Sequence, residues 1–291
     1  MFDAAARDTY KLAFEEPGDY CHIIDEEFDN LPEDDEEEIV VTKKDLPFIN
    51  LSSFKPRNEL NPKIWINGKL NPRVRMRLLE IADDFADTLE IDWVDSKDVI
   101  LTGSLANYNW SKYSDFDLHL LYDFNEINER TEFVKDYFDS KKNLWNNKHD
   151  SLKIYGFPVE VYVQDINEQH TASGVYSLER DKWLVKPESN RIKAIKLNKY
   201  FIKEKALKLM HSIDKLKAKA DATTDIHEVE EIGNAAKALF DRIKGIRREA
   251  LKNGSEMSSG NIIFKILRRS GHIGKLSDIK IMTYDKVNSI K

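Results

Sequence analysis

The residues of this chain best suited to chemistry are Asp115 and Asp117, in the stretch Ser114-Asp-Phe-Asp-Leu-His-Leu-Leu-Tyr122. They follow Gly103-Ser104, which closes the aliphatic run Val99-Ile-Leu-Thr102. Alternate side chains of an extended strand share a face, so the two aspartates stand together while Phe116, Leu118, Leu120 and Tyr122 turn toward a core. At the rise of a strand the aspartates lie about 7 Å apart. At an effective dielectric of about 20 such a pair repels by roughly 2 kcal/mol. A divalent cation between them offsets that cost, and hard oxygen ligands of this kind suit Mg²⁺ or Mn²⁺.

Two-metal phosphoryl chemistry needs more carboxylate than one pair. The segment Lys153-Ile-Tyr-Gly-Phe-Pro-Val-Glu-Val-Tyr-Val-Gln164 reads as a hairpin turning near Gly156. Phe157, Val159, Val161 and Val163 form one face of its second strand, and Glu160, Tyr162 and Gln164 form the other. Glu160 is the natural third ligand, with Asp165 a weaker competitor. On the phosphate side, Gly103 allows a tight turn in which backbone N–H groups approach a ligand, and Ser104 adds a hydroxyl. A helix starting near Leu105 would point its positive end at the same place. Lys112 and Ser114, just before the aspartates, are further phosphate contacts to consider, although a solvated loop is an equal reading.

Neighbouring side chains have two roles open to them. His119 shares the face of Asp117, where simple hydrogen bonding is the commoner fate of a histidine than ligation. Trp110, Tyr113, Tyr176 and Trp183 could wall or stack on a base, but aromatic packing is the more usual role. Asn107 and Asn109 fall in the loop after Ser104.

The elements that position these groups can be read in outline. Asn67-Gly68 marks a hairpin turn, and Asn71-Pro72 an N-cap and first helical residue. A helix is expected from there through about Glu90, on Val74, Leu78, Leu79, Ile81, Ala82, Phe85 and Leu89. A second amphipathic helix over 126–142 would connect the aspartate strand to the Glu160 strand and suits a parallel pair. Residues 173–187 read as an irregular arm with one short strand. Beyond it, helices are expected over Ile192 to Ala220, over Asp225 to Lys252 and from Asn261 to Gly271, then a mixed tail from Ile273 to Ile290. The fold class is therefore α+β, a small mixed β-sheet with flanking helices followed by a mostly α-helical C-terminal domain. The expected divisions are an acidic, disordered segment over 1–45, a hairpin and linker over 46–71, a catalytic domain over 72–188 and a helical domain over 189–291.

Composition bounds these readings. A 291-residue chain with 41% hydrophobic and 33% charged residues has ample core and a wet surface. It contains no apolar run of the roughly 18 residues that a membrane span needs. The start Met1-Phe-Asp-Ala-Ala-Ala-Arg-Asp8 lacks a basic and then hydrophobic leader. Its single cysteine, Cys21, forms neither an internal disulfide nor a zinc site alone. A cytoplasmic location is expected. The net charge of -7 is uneven, with acids crowded between Asp25 and Glu38 and lysines between Lys182 and Lys219. The acidic run reads as a self-repelling tail, the sharper alternative being an internal mimic of phosphate. The late basic residues, including Lys193, Lys196, Lys199, Lys203, Arg242, Lys244, Arg247, Arg248, Arg268 and Arg269, read as a solvated helix face or as a nucleic-acid surface.

Gly103-Ser104, ten intervening residues, Asp115-Phe-Asp117 and a later strand with Glu160 together resemble the nucleotidyltransferase superfamily typified by DNA polymerase beta, and the local wording its phage and bacterial branch. The resemblance spans about residues 72 to 166. It implies that Gly103 and Ser104 hold a nucleoside triphosphate, that Asp115 and Asp117 ligate two Mg²⁺ or Mn²⁺ ions, and that Glu160 completes the site for an attacking hydroxyl. The implied reaction moves a nucleotide from an NTP such as ATP to an RNA, protein, nucleotide or small-molecule acceptor, releasing pyrophosphate. The alternative is a binding or assembly protein that keeps the fold without turnover.

Overall fold

The computed structural model describes residues 48–168, 172–189, 197–253 and 256–290. The acidic segment, Cys21, Lys193 and Lys196 lie outside them. Residues 52–189 belong to one compact unit and residues 197–290, with 48–51, to another.

The first unit begins with a two-stranded hairpin, β1 (Trp65–Ile66) and β2 (Lys69–Leu70). Its turn is Asn67-Gly68, with φ of 51° and 78°, the left-handed pair that a two-residue hairpin requires. Helix α1 (Pro72–Asp87) follows, with Pro72 at its first turn and the Asn71 side chain accepting the Arg73 N–H at 3.0 Å. Its stripe of Val74, Leu78, Ile81, Ala82 and Phe85 is buried. Both features agree with the sequence pattern.

A six-stranded sheet forms the centre of this unit. Its strands are β3 (Asp98–Thr102), β4 (Phe116–Tyr122), β5 (Lys153–Ile154), β6 (Phe157–Asp165), β7 (Val175–Ser177) and β8 (Lys182–Val185), in the order β5-β6-β4-β3-β7-β8. Strand β4 runs antiparallel to β3 and parallel to β6. The parallel pair is joined by α2 (Phe124–Ile127) and α3 (Thr131–Lys148), where one helix over 126–142 was expected. Phe116, Leu118, Leu120 and Tyr122 of β4 and Val159 and Val161 of β6 enter a single core with α1, α3 and the hairpin's Trp65. Each such aliphatic or aromatic burial is worth about 1.5 to 3 kcal/mol, so the parity of these strands is firmly set. Beyond Pro158, β6 has no partner in β5. There Asn146 of α3 accepts the Val161 N–H at 3.0 Å and donates to the Val161 carbonyl at 3.1 Å.

The arm expected over 173–187 is instead the strand pair β7 and β8, which extends the sheet beside β3. Tyr176 anchors it. Its hydroxyl accepts the Leu70 N–H at 3.4 Å and donates to Asp181 at 2.7 Å, while its ring meets Trp65 and Trp183 edge-on. These are contacts over long sequence separations, which a local pattern does not announce.

The second unit holds α4 (Lys199–Ala222), α5 (Ile226–Asn253), α6 (Ser259–Arg269) and α7 (His272–Asn288). Gly271, at φ 80°, ends α6 and begins α7. The mixed tail expected from Ile273 is thus a full helix. Its buried stripe is only Leu276, Ile279 and Thr283, and the exposed Ile281 and Tyr284 blur the period. Gly233 of α5 lets α7 come close, since a Cβ there would fall 2.6 Å from the Thr283 hydroxyl. Two of the basic side chains pack on rings, Lys244 at 4.4 Å from Phe240 and Arg247 at 4.3 Å from Phe264. No helix among the described residues is long and apolar enough to cross a membrane.

Candidate active site

Register builds the site. Thr102 of β3 pairs with Asp117 of β4, and Asp117 pairs with Glu160 of β6. Neighbouring strands lie about 4.8 Å apart, so this alignment alone sets Glu160 beside Asp117, and Asp115 joins them from the residue before β4. One carboxylate oxygen from each of the three lies within 4.8 Å of the others, and all three residues are half-buried.

Gly103 makes that convergence sterically feasible. It has φ 72° and ψ -160°, and a Cβ built there would stand 1.7 Å from Asp117 Oδ2. The glycine therefore clears space for the aspartate, a role distinct from the backbone approach to phosphate read from sequence. After it comes a 3-10 turn of three residues, Ser104–Ala106. The helix expected near Leu105 is absent, and with it the helix dipole.

The loop leading to Asp115 is pinned from several sides. Ser104 Oγ is 2.7 Å from Ser114 Oγ, which also accepts the Ser111 N–H at 3.0 Å, and Ser114 is buried. The Trp65 indole donates to the Leu105 carbonyl at 2.7 Å, and the Trp110 indole to the Glu59 carbonyl at 2.9 Å. Arg57 lies over the Trp110 ring at 4.7 Å. This bracing from residues 57–65 escaped the sequence reading, because nothing in those residues marks them as partners of a loop some fifty positions away.

A strand, a glycine turn, two aspartates and a parallel strand with a third acid are now in place, and residues 82–186 match the family model described as a nucleotidyltransferase domain. That stretch, about a third of the chain, is similar to a nucleotidyltransferase domain. No curated protein and no solved structure matches the chain.

The donor set of this domain fits a hard divalent cation. Octahedral Mg²⁺ with oxygen ligands at about 2.1 Å holds neighbouring oxygens about 3 Å apart and opposite ones about 4.2 Å apart. Three carboxylate oxygens within 4.8 Å reach that arrangement by small rotations of their side chains.

The other candidates separate. Lys112 is exposed, with its ammonium 4.9 Å over the Tyr113 ring. Asn107 is buried, donating to Ser173 Oγ at 2.5 Å. Asp165 caps the turn after β6, accepting from the Phe124 and Asn167 backbones at 3.4 and 3.1 Å, and is outside the carboxylate cluster. Tyr176 is fully buried and serves packing, and the half-buried Trp183 stacks one face on Trp65 at 4.4 Å. His119 bonds Gln164 Oε1 through Nδ1 at 2.8 Å, and its Nε2 faces the Thr102 hydroxyl at 3.5 Å.

Tyr162 is the residue that the sequence reading placed on the right face but left without a role. Its hydroxyl donates to Glu160 Oε2 at 2.5 Å. Burial, then the charges of Asp117 and Glu160, push its ionisation well above the ordinary tyrosine value, so it remains a donor. The signal was its position two residues past Glu160 in an alternating strand.

Proposed function

We propose that the domain is an active nucleotidyltransferase that transfers a nucleoside monophosphate from an NTP to the hydroxyl of an acceptor and releases pyrophosphate. The observation that carries this reading is the convergence of Asp115, Asp117 and Glu160 within 4.8 Å. A catalytically silent binding protein has no need to gather three carboxylates that repel one another.

In this reading Asp115 and Asp117 hold two Mg²⁺ or Mn²⁺ ions and Glu160 joins them on the side of the acceptor. When bound, such ions lower the pKa of an attacking hydroxyl and neutralise charge on the leaving phosphates. The protein's own part is placement. Gly103 admits the Asp117 carboxylate, and the Ser104 and Ser114 hydroxyls and nearby backbone lie at the turn where a triphosphate would bind. Lys112 supplies a positive charge at the mouth of the same loop. Acceleration would then come from alignment and fixed charge, as phosphoryl transfer favours. An RNA or DNA acceptor held by the basic side chains of the helical unit, Lys199, Arg248 and Arg268 among them, would bind with an affinity that falls steeply with salt.

The test is pyrophosphate release from each NTP with Mg²⁺ or Mn²⁺, together with Mn²⁺ binding followed by electron paramagnetic resonance. Asp115→Ala combined with Asp117→Ala is expected to remove both activities, turnover falling by at least about 10³-fold. Turnover and Mn²⁺ affinity that survive this double substitution would overturn the proposal.

A further inference from the structure

The face of β4 and β6 that carries the carboxylates continues past them as a polar ladder. His119 and Tyr162 occupy paired positions on the parallel strands. Their rings stack at 4.8 Å between centroids and 25° between planes. His119 is held in turn by Gln164 at 2.8 Å, and the Lys142 ammonium lies 5.3 Å from the centre of the Tyr162 ring. The tyrosine thus has its ring fixed from two sides and its hydroxyl aimed back along the strand at Glu160 Oε2, 2.5 Å away.

From this arrangement we infer that Tyr162 is the positioning residue of Glu160, fixing the carboxylate toward the Asp115 and Asp117 oxygens before any ion arrives. The inference rests on the metal-site reading given above. A glutamate has three side-chain torsions, and an unrestrained one spends much of its time away from a site shared with two other negative charges. A donated hydroxyl hydrogen removes part of that freedom and part of the repulsion. A carboxylate oxygen that accepts one hydrogen bond keeps a second lone pair, so the bond orients the group without withdrawing it from a cation. Partners that orient a metal ligand in this way commonly change metal affinity by 10-fold to 100-fold. The stack on His119, secured by Gln164, makes the tyrosine itself rigid enough to do this.

The measurement is Mn²⁺ affinity of the full chain without nucleotide, by electron paramagnetic resonance, beside the melting temperature. Tyr162→Phe is expected to weaken Mn²⁺ binding about 10-fold to 100-fold with little change in melting temperature. In a Glu160→Gln background the same change should add almost nothing, since the oriented carboxylate is already gone. Tyr162→His keeps an aromatic ring for the stack but cannot reach Glu160, and it should weaken binding as Phe does even if the Phe variant folds poorly. Unchanged Mn²⁺ affinity in the Phe and His variants, or an effect that adds in full to that of Glu160→Gln, overturns the inference and leaves the metal site standing. Equal Mn²⁺ affinity in the wild type and Glu160→Gln overturns the placement of Glu160 in the metal site, and the inference with it.

Discussion

Strand β3 meets a carboxylate at each of its ends, and the two are handled in opposite ways. At its first residue the Asp98 carboxylate, 3% exposed, accepts the Ser177 hydroxyl and the Val99 N–H at 2.8 Å each and faces Arg180 at 3.5 Å. At its far end Gly103 gives up its side chain so that Asp117 can approach two further carboxylates. The first acid is bound by donors and a cation that tie two strands together, and the second is gathered with two further carboxylates. A fold keeps the first arrangement to hold β3 and β7 together. The second brings like charges together, a repulsion that a bound dication would offset.

The contrast can be broken most severely at Gly103. Gly103→Ala should displace Asp117, reduce turnover by at least about 10³-fold and weaken Mn²⁺ binding, with a smaller loss of stability from the positive φ. Retained Mn²⁺ affinity in that variant would mean that the glycine serves the nucleotide alone. The other end should respond in reverse. Asp98→Ala strands the Ser177 hydroxyl and the Val99 N–H, and denaturant unfolding should show a loss of about 1 to 3 kcal/mol with Mn²⁺ affinity unchanged.

A subtler difference concerns pH. Burial, only partly offset by the Ser177 bond and Arg180, raises the Asp98 carboxyl above its ordinary 3.8, and burial together with Asp98 raises Glu179 as well. A carboxyl that binds its proton more tightly when folded favours the native state at low pH, and that contribution is lost as pH rises from the unfolded value through the native one. Asp98→Asn keeps an acceptor for both donors and cannot ionise. Unfolding measured at successive pH values should therefore give a shallower decline for the asparagine variant just above pH 4. An identical slope would show that Asp98 is not the group responsible.

The parts of this molecule that were legible in the sequence are those where local chemistry and local geometry coincide. Asp115 and Asp117 show their shared face through the apolar residues between and after them, and Glu160 stands alone among valines and aromatics on a strand of the same parity. Asn67-Gly68 and Asn71-Pro72 carry their backbone demands in their residue types. Where packing overrides pattern the reading failed. Helix α7 shows solvent two large apolar side chains, Ile281 and Tyr284, and so hides a narrow stripe. Strands β7 and β8 are three and four residues long, too short for alternation to register, and owe their place to Tyr176 and its distant partners. At the site, the steric reason for Gly103 and the hold of Tyr162 on Glu160 needed the register between strands, which no single segment contains.

Asn146 has a consequence for how the protein behaves among its own copies. Past Val159, whose N–H is taken by the Leu152 carbonyl at 3.3 Å, the strand that bears Glu160 has no strand partner on that side among the described residues, and an open strand edge is a template for pairing with other chains. A carboxamide presents a donor and an acceptor in the same relation as a peptide group, and α3 sets one against both backbone groups of Val161. A helix thus imitates one residue of a missing strand. The strand that bears Glu160 is closed to intermolecular β-pairing at the point nearest that residue, so the half-buried carboxylate cluster has no growth point for aggregation beside it.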